Sequence, residues 1–403
     1  MRTRIAVALI GMALLGITSG ASAKNEYSPG ATDTEIKLGQ TMPYSGAASS
    51  LSELGRAETA YFNMINASGG INGRKINLVS LDDGFSPPKT VEQVRNLVEQ
   101  ENVLALVGSM GTAGNLAVAK YLNAKKVPQL LAASSSPALN DRSKYPWTNT
   151  FFASSANEAR IYAHYLLKVK PNAKIGVLYQ NDDYGKGYLE SFRQALGDRA
   201  SSMIVKEASY DLGDPTIDSQ VLTLMASGAD TFFQATTPKY ATQAIRKAAD
   251  VGWKPLQLVL AAVASKGNTL EPAGLDKSKG IVTSIYLKMP GDPMWDKDPA
   301  MQEYQAFMKR WAPQLTANDA GSAMGYSVAQ LTVEILKRAG NNLTRQNVLD
   351  QANHIKDFQL PLFITGVKID YTRPSHVAWS QAQMVRFDGN NFVPFGELLD
   401  ADK

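Results

Sequence analysis

The 403-residue chain contains no cysteine. Disulfides, thiol catalysis and thiolate metal sites are therefore excluded, and so is a lipid anchor, which an exported chain would carry on a cysteine after its leader. Histidine is scarce: His164, His354 and His376 are the full set. None falls on a loop that follows a predicted strand, and neither H-E-x-x-H nor G-x-S-x-G occurs, so a hydrolase has no visible nucleophile, base or metal set. Neither sign of charge dominates, with 41 Lys and Arg against 37 Asp and Glu and a formal net charge of +4. No basic block exists, so nucleic acid is not an expected partner. The glycines form neither G-x-G-x-x-G nor G-x-x-x-x-G-K-[ST], which removes the nucleotide fingerprints. No metal or cofactor is expected.

The one long apolar run lies at the start. Arg2 and Arg4 precede a nearly continuous apolar stretch over 5–17, and small residues lead to Ala21-Ser22-Ala23. A basic start, a short apolar core and an A-x-A site form a secretory signal, and the run is short for a membrane span. The mature chain is expected to begin at Lys24, in a periplasm and without a membrane anchor. Losing Arg2 and Arg4 lowers the formal charge from +4 to +2. About 380 residues remain, enough for two domains. The 44% hydrophobic content supplies the core that a chain without disulfides needs.

Apolar periodicity divides the rest. Leu54, Ala57, Tyr61, Met64 and Ile65 recur at helical spacing, and Gly69-Gly70 stops that helix. A strand is predicted over 76–81. Pro87-Pro88 opens a helix to 100, with Val91, Val94, Leu97 and Val98 on its apolar face. The run 103–107 is wholly apolar, as in a strand buried on both faces of a parallel sheet. A helix to about 124 and a strand over 127–132 follow. The alternation restarts with helices over 161–169, 184–196, 217–226 and 239–251 and strands over 174–179, 203–206, 231–234 and 256–260. Two α/β blocks in series result, divided near Tyr145-Pro146-Trp147. A Pro- and Asp-rich segment over 292–298 breaks the rhythm, helices are predicted over 299–311 and 321–339, and the stretch from 363 reads as strands and turns.

Ligands of doubly wound sheets bind beyond the carboxyl ends of the strands. The loops at 108–115, 132–137, 180–187, 235–238 and 261–265 are therefore the places to look. In 108–115 the glycines permit close backbone approach, and Thr112 sits where a helix N-cap belongs. A helix start offers free N–H groups to an anion, although ordinary capping needs the same residues. Ala132-Ala133-Ser134-Ser135-Ser136-Pro137 adds small residues with exposed N–H groups and hydroxyls, or else is a polar turn. Together the two loops could hold both oxygens of a carboxylate without an arginine. Asp182-Asp183 could suggest a metal or an acid–base pair, but a cap for the helix beginning at Tyr184 is the simpler reading.

The ordered set Ile36-Lys37-Leu38-Gly39, Ser45-Gly46, Asn66-Ala67-Ser68-Gly69-Gly70-Ile71-Asn72-Gly73-Arg74, Asp82-Asp83, Lys126-Val127-Pro128, Tyr179-Gln180-Asn181-Asp182-Asp183-Tyr184-Gly185, Asp214-Pro215-Thr216 and Gly228-Ala229-Asp230 resembles the periplasmic solute-binding proteins of the branched-chain amino acid type. The resemblance covers most of 36–340. It implies an α/β fold: a two-lobed clamp, each lobe a mainly parallel sheet flanked by helices, with a three-strand hinge. Lobe one would comprise 24–147 and 283–360, and lobe two 148–282 and 361–403. Closure around a small ligand would present the clamp to the inner-membrane permease of an ATP-driven importer. A clamp that must move is expected to be a monomer.

Carried over position by position, the resemblance puts the ligand carboxylate on Thr112 and on Ala133 and Ser135, with Ser134 beside them, and puts a covering aromatic at Tyr184. Two positions depart from the family pattern. Thr236 stands where an aromatic is usual, and the segment from Ala261 to Ala264 lacks the acid that usually holds an ammonium. Phe85 and Gly111 occupy positions where some relatives have a disulfide, and Phe85 either points to the pocket or packs beside the loop. An ammonium buried without an acid is costly, so the expected ligand is an aromatic or short aliphatic carboxylate. The alternatives are an amino acid or amide held by Glu53 or Asp83, a ligand-sensing subunit of a receptor, and an enzyme without a recognisable nucleophile.

Overall fold

The computed structural model describes residues 25–403, so the secretory signal read at residues 1–23 lies outside the described residues. A short strand, β1 (Glu26–Tyr27), precedes β2 (Glu35–Met42), β3 (Lys75–Asp82), β4 (Ala105–Val107), β5 (Gln129–Ala132) and β6 (Thr148–Thr150). The last five form a parallel sheet in the order β3-β2-β4-β5-β6. β4 and β5 are buried along their whole length, which is why they are apolar rather than alternating. Helices Pro87–Glu99 and Thr112–Lys125 cover one face, where Val94, Leu97, Val118 and Leu122 join one apolar cluster.

A second sheet begins with β7 (Ile175–Gln180), β8 (Ile204–Tyr210), β9 (Thr231–Ala235), β10 (Leu256–Val259) and β11 (Val282–Ile285). These strands are parallel, and two antiparallel strands, β13 (Gln381–Phe387) and β14 (Phe392–Asp400), extend the edge beside β11. β12 (Asn342–Leu343) returns to pair with β1. Helices Glu53–Ala67 and Ala320–Ala339 pack against each other on the first sheet, where Gly325 lets the second helix approach so closely that a Cβ would lie 2.1 Å from the Leu54 carbonyl oxygen.

The first passage between sheets follows Thr150, because β6 pairs with β5 and still belongs to the first sheet. The second and third passages lie side by side: Leu287 bridges Phe363, Lys288 N–H donates to the Leu362 carbonyl, and Ile364 N–H donates to the Tyr286 carbonyl. Phe151 packs edge-on against Trp379 at 5.3 Å, and Tyr286 and Phe363 close the same cluster. One aromatic core thus gathers all three crossings. Among the described residues no helix is long and apolar enough to cross a membrane.

Candidate functional site

Strand order reverses between β2 and β4 in the first sheet and between β7 and β9 in the second. The loops that leave these strands face each other across a crevice of about 1100 Å³, counted with its open mouth. Helices Thr112–Lys125 and Asp183–Leu196, one from each lobe, come within 8 Å between Cα atoms across it. Leu51, Leu54, Met110, Phe152, Val263 and Met324 make much of the lining apolar. None of the three histidines lines it, and no cluster of His, Asp and Glu among the described residues could hold a metal ion.

The part of the lobe-one wall built by the loops after β4 and β5 is uncharged and rich in donors. Gly111, at φ 104°, is the N-cap of helix Thr112–Lys125, so Thr112 is the first helical residue rather than the cap. No side chain caps this start, which leaves its first N–H groups without the usual oxygen. Ser134 Oγ donates to Thr112 Oγ1 at 3.1 Å, joining the two loops predicted to act together. Ala133 lines the crevice, but its N–H already donates to the Ser109 carbonyl, so it is not a free donor. Ser135 also lines the crevice, while its carbonyl accepts from Ser155 N–H. Leu131, just before this loop, takes φ 52° and donates its N–H to Asn149 Oδ1 at 2.7 Å. This kink in β5 sets the direction in which the serines emerge.

Phe85 lines the crevice and also packs beside the loop, since a Cβ on Gly111 would stand 2.9 Å from its ring. Asp83 does not line it: Asp83 accepts from Thr90 Oγ1 at 2.7 Å and from Phe85 N–H at 2.9 Å, holding the turn that aims the ring. Glu53 likewise stands behind the wall, accepting from Thr316 N–H and Ser322 Oγ, each at 3.2 Å.

The lobe-two wall differs. Tyr184 lines the crevice, and its hydroxyl donates to the Thr236 carbonyl at 3.1 Å. Thr236 itself is fully buried and outside the lining; Thr237 and Pro238 form the wall there. The side chain expected at 236 is therefore not presented to a ligand, because β9 continues to Ala235 and the next residue turns inward. Asp182 caps the helix Asp183–Leu196, accepting from Tyr184 N–H at 3.0 Å and Gly185 N–H at 3.1 Å. Gly185 is required at this turn, since a Cβ would meet the Gln180 carbonyl oxygen at 2.1 Å.

Ala261 lines the crevice, yet the wall beside it is not free of acid. Glu158 reaches it from helix Ser155–Val169 and accepts from Ala261 N–H at 2.7 Å. Tyr188 Oη donates to its other oxygen at 2.7 Å, and Tyr162 Oη and Ser284 Oγ lie at 3.1 and 3.4 Å. Burial pushes the Glu158 carboxyl up, while Tyr188, Ala261, Tyr162 and Ser284 pull it back. The wall at Ala261 therefore has an acid, supplied by a helix rather than by the loop itself. The helix begins at Ser155, six residues before the predicted start at 161, and Glu158 stands in its first turn. Ser155-Ala156-Asn157-Glu158 has the S-x-x-E pattern of a helix start, which would have revealed the turn but not that its acid faces inward.

The crevice holds a second carboxylate that periodicity does not point to. Asp319 is 2% exposed, lines the crevice, and caps helix Ala320–Ala339 by accepting from Ser322 N–H at 3.1 Å. Burial pushes it up to about 6, and the nearby Glu53 adds to this. The N–H groups of Ser322 and Gly321 and the Ser265 hydroxyl pull the other way. An Asp directly before a predicted helix is the signal for a cap, but its exposure to the crevice depends on the other lobe.

Comparison with known proteins supplies the family. An amino acid binding protein of Pseudomonas aeruginosa is 26% identical over 205 residues, or 49% of this chain and 53% of that protein. Leu/Ile/Val-binding protein homolog 7 of Brucella abortus is 25% identical over 291 residues, covering 69% of this chain and 68% of its own. The match thus spans about half of the first relative and about two thirds of the second. A substrate-binding periplasmic protein from Ralstonia solanacearum superposes with a TM-score of 0.79 at 25% identity, over 90% of this chain and 100% of that one. The family model described as periplasmic binding protein matches residues 35–391. With its two mainly parallel sheets, triple crossing and shared crevice, the chain belongs to the periplasmic binding protein family.

Proposed function

We propose that the protein captures a small apolar amino acid between its lobes in a periplasm and delivers it to the permease of an ATP-driven importer. The observation that carries this reading is the pairing of a neutral donor cradle with buried acids in one crevice. Thr112 and Ser135 offer uncharged donors to a carboxylate, with Ser134 holding the Thr112 hydroxyl, and the crevice also contains two buried carboxylates, Glu158 and Asp319, within an apolar lining. A zwitterion with a hydrocarbon side chain matches all three features. The printed names of the Pseudomonas and Brucella relatives support the same class. The signal read at residues 1–23 would deliver the chain from Lys24 to the periplasm.

One observation favours a second reading. Both Glu158 oxygens already accept from protein donors, and burial favours the neutral acid. A wall in that state suits an aromatic or short aliphatic acid that brings no ammonium. Calorimetry at pH 7 with leucine, valine, benzoate, 3-phenylpropanoate and hexanoate separates the two. Micromolar or tighter binding of the amino acids, with no heat from the other acids, is the expected result. The reverse pattern establishes the second reading, and silence from all five removes both.

A further inference from the structure

The two carboxylates of the crevice are not equivalent. Glu158 has both oxygens occupied by protein donors. Asp319 has one oxygen occupied, by the Ser322 N–H at its own helix start, while no donor meets Oδ2 in hydrogen-bond geometry. Such an atom is unusual, because a buried carboxylate oxygen without a partner forfeits the hydration it had in the unfolded chain. Asp319, Ala320 and Gly321 form the lobe-one side of the crevice, and Ser265 and Asn268 form the lobe-two side. Ser265 Oγ spends its lone pairs on the N–H groups of Ala320 and Asn268, each at 3.4 Å. The lobe-two rim thus stands against Asp319 with no donor in hydrogen-bond geometry at Oδ2, although the Ser265 hydroxyl is near enough to help hold the carboxyl down.

We propose that Asp319 is the ligand-selecting acceptor of this crevice: its free oxygen accepts a hydrogen bond from an N–H or O–H group of the bound molecule. The inference rests on the crevice being the ligand site. It assigns the donor-binding role to Asp319 and leaves Glu158 as a positioning residue that fixes Tyr188 and the Ala261 turn. The protein then discriminates by functional group. An acid that carries an ammonium, hydroxyl or amide N–H binds, and an isostere of the same shape without a donor leaves Asp319 buried and unpaired.

Calorimetry with matched pairs tests this. The probes are leucine against 4-methylpentanoate, and 3-(4-hydroxyphenyl)propanoate against 3-phenylpropanoate. The first pair reports an ammonium donor and the second a hydroxyl. Wild type is expected to prefer the donor-bearing member of at least one pair by about tenfold or more. D319N keeps an oxygen for the helix cap and puts an NH2 where the free oxygen was, so the preference should collapse to about twofold or less. D319S keeps the cap by its hydroxyl and should lose the preference as well. Because the readout is a ratio of two affinities on one protein, a general loss of stability does not imitate it. An unchanged ratio in both variants, or a wild type that prefers the donor-free members, overturns the proposal. T112V separates this failure from that of the underlying reading: if it weakens both members of a pair while D319N leaves the ratio intact, only the role of Asp319 falls. If T112V changes neither affinity, the crevice reading falls with it.

Discussion

The two walls of the crevice solve the same problem in different ways. The lobe-one wall presents Thr112, Ser134 and Ser135 on short loops after β4 and β5, with no charged group among them. The lobe-two wall is braced by a buried carboxylate, Glu158, that ties helix Ser155–Val169 to Tyr188 and to the turn at Ala261. Neutral donors recognise an anion at little cost to the empty protein, because each is small and still partly served by its neighbours. A buried acid costs more to desolvate and is retained only when several donors converge on it. Removing a group should therefore chiefly affect binding on one wall and folding on the other.

The largest expected effect is on the braced wall. E158A leaves the Tyr188 hydroxyl and the Ala261 N–H without their acceptor, and unfolding free energy should fall by on the order of 3 kcal/mol or more. Urea denaturation measures it, and a loss below about 1 kcal/mol would erase the contrast between the walls.

Asp319 should behave in the opposite sense. Its folded pKa stands near 6 against an ordinary 3.8, so the native state binds this proton more tightly than the unfolded chain. The resulting stabilisation is fully present below pH 3.8 and is lost as pH rises through about 6. D319N has no such loss. It should match wild type near pH 4 and exceed it above pH 7, by up to roughly 3 kcal/mol at about 1.4 kcal/mol per pKa unit. Thermal melts across pH 4–8 check this, and parallel curves would show that Asp319 is not the group that titrates.

On the donor wall the effect moves to the ligand. T112V should weaken binding of the cognate probe about tenfold, the value of one hydrogen bond. It should shift the melting temperature of the empty protein far less than E158A does. Smallest of all, Y184F removes the bond to the Thr236 carbonyl and should cost about 1 kcal/mol of stability, with little change in affinity. A large affinity loss in Y184F would move Tyr184 from covering the ligand to contacting it through its hydroxyl.

The same contrast separates what was readable from what was not. The lobe-one loops were found because each follows an all-apolar run and contains Gly or Ser at the turn, a pattern that spans fewer than ten residues. Their details still shifted: Gly111 rather than Thr112 is the cap, and Ala133 has no free N–H. Thr236 turns inward because β9 continues to Ala235, one residue beyond its predicted end. Glu158 is hard to read from the sequence for a different reason. The apolar repeat of its helix becomes dense only at Ile161, whereas the helix starts at Ser155 with Ser154 as N-cap.

The sequence alone determined two α/β blocks, the parallel order implied by buried apolar strands, and the loops that border the crevice. These follow from periodicity and turn chemistry, which act over a few neighbours. Tertiary structure alone decided which acids enter the site. Glu158 meets an N–H 103 residues away, and Ser265 comes to Ala320 only where the two lobes close. Local pattern cannot encode such pairs, because the partner is chosen by the packing of one sheet against the other. The donor cradle was therefore visible in outline from the start, whereas the acidic half of the crevice appeared only when both lobes were in place.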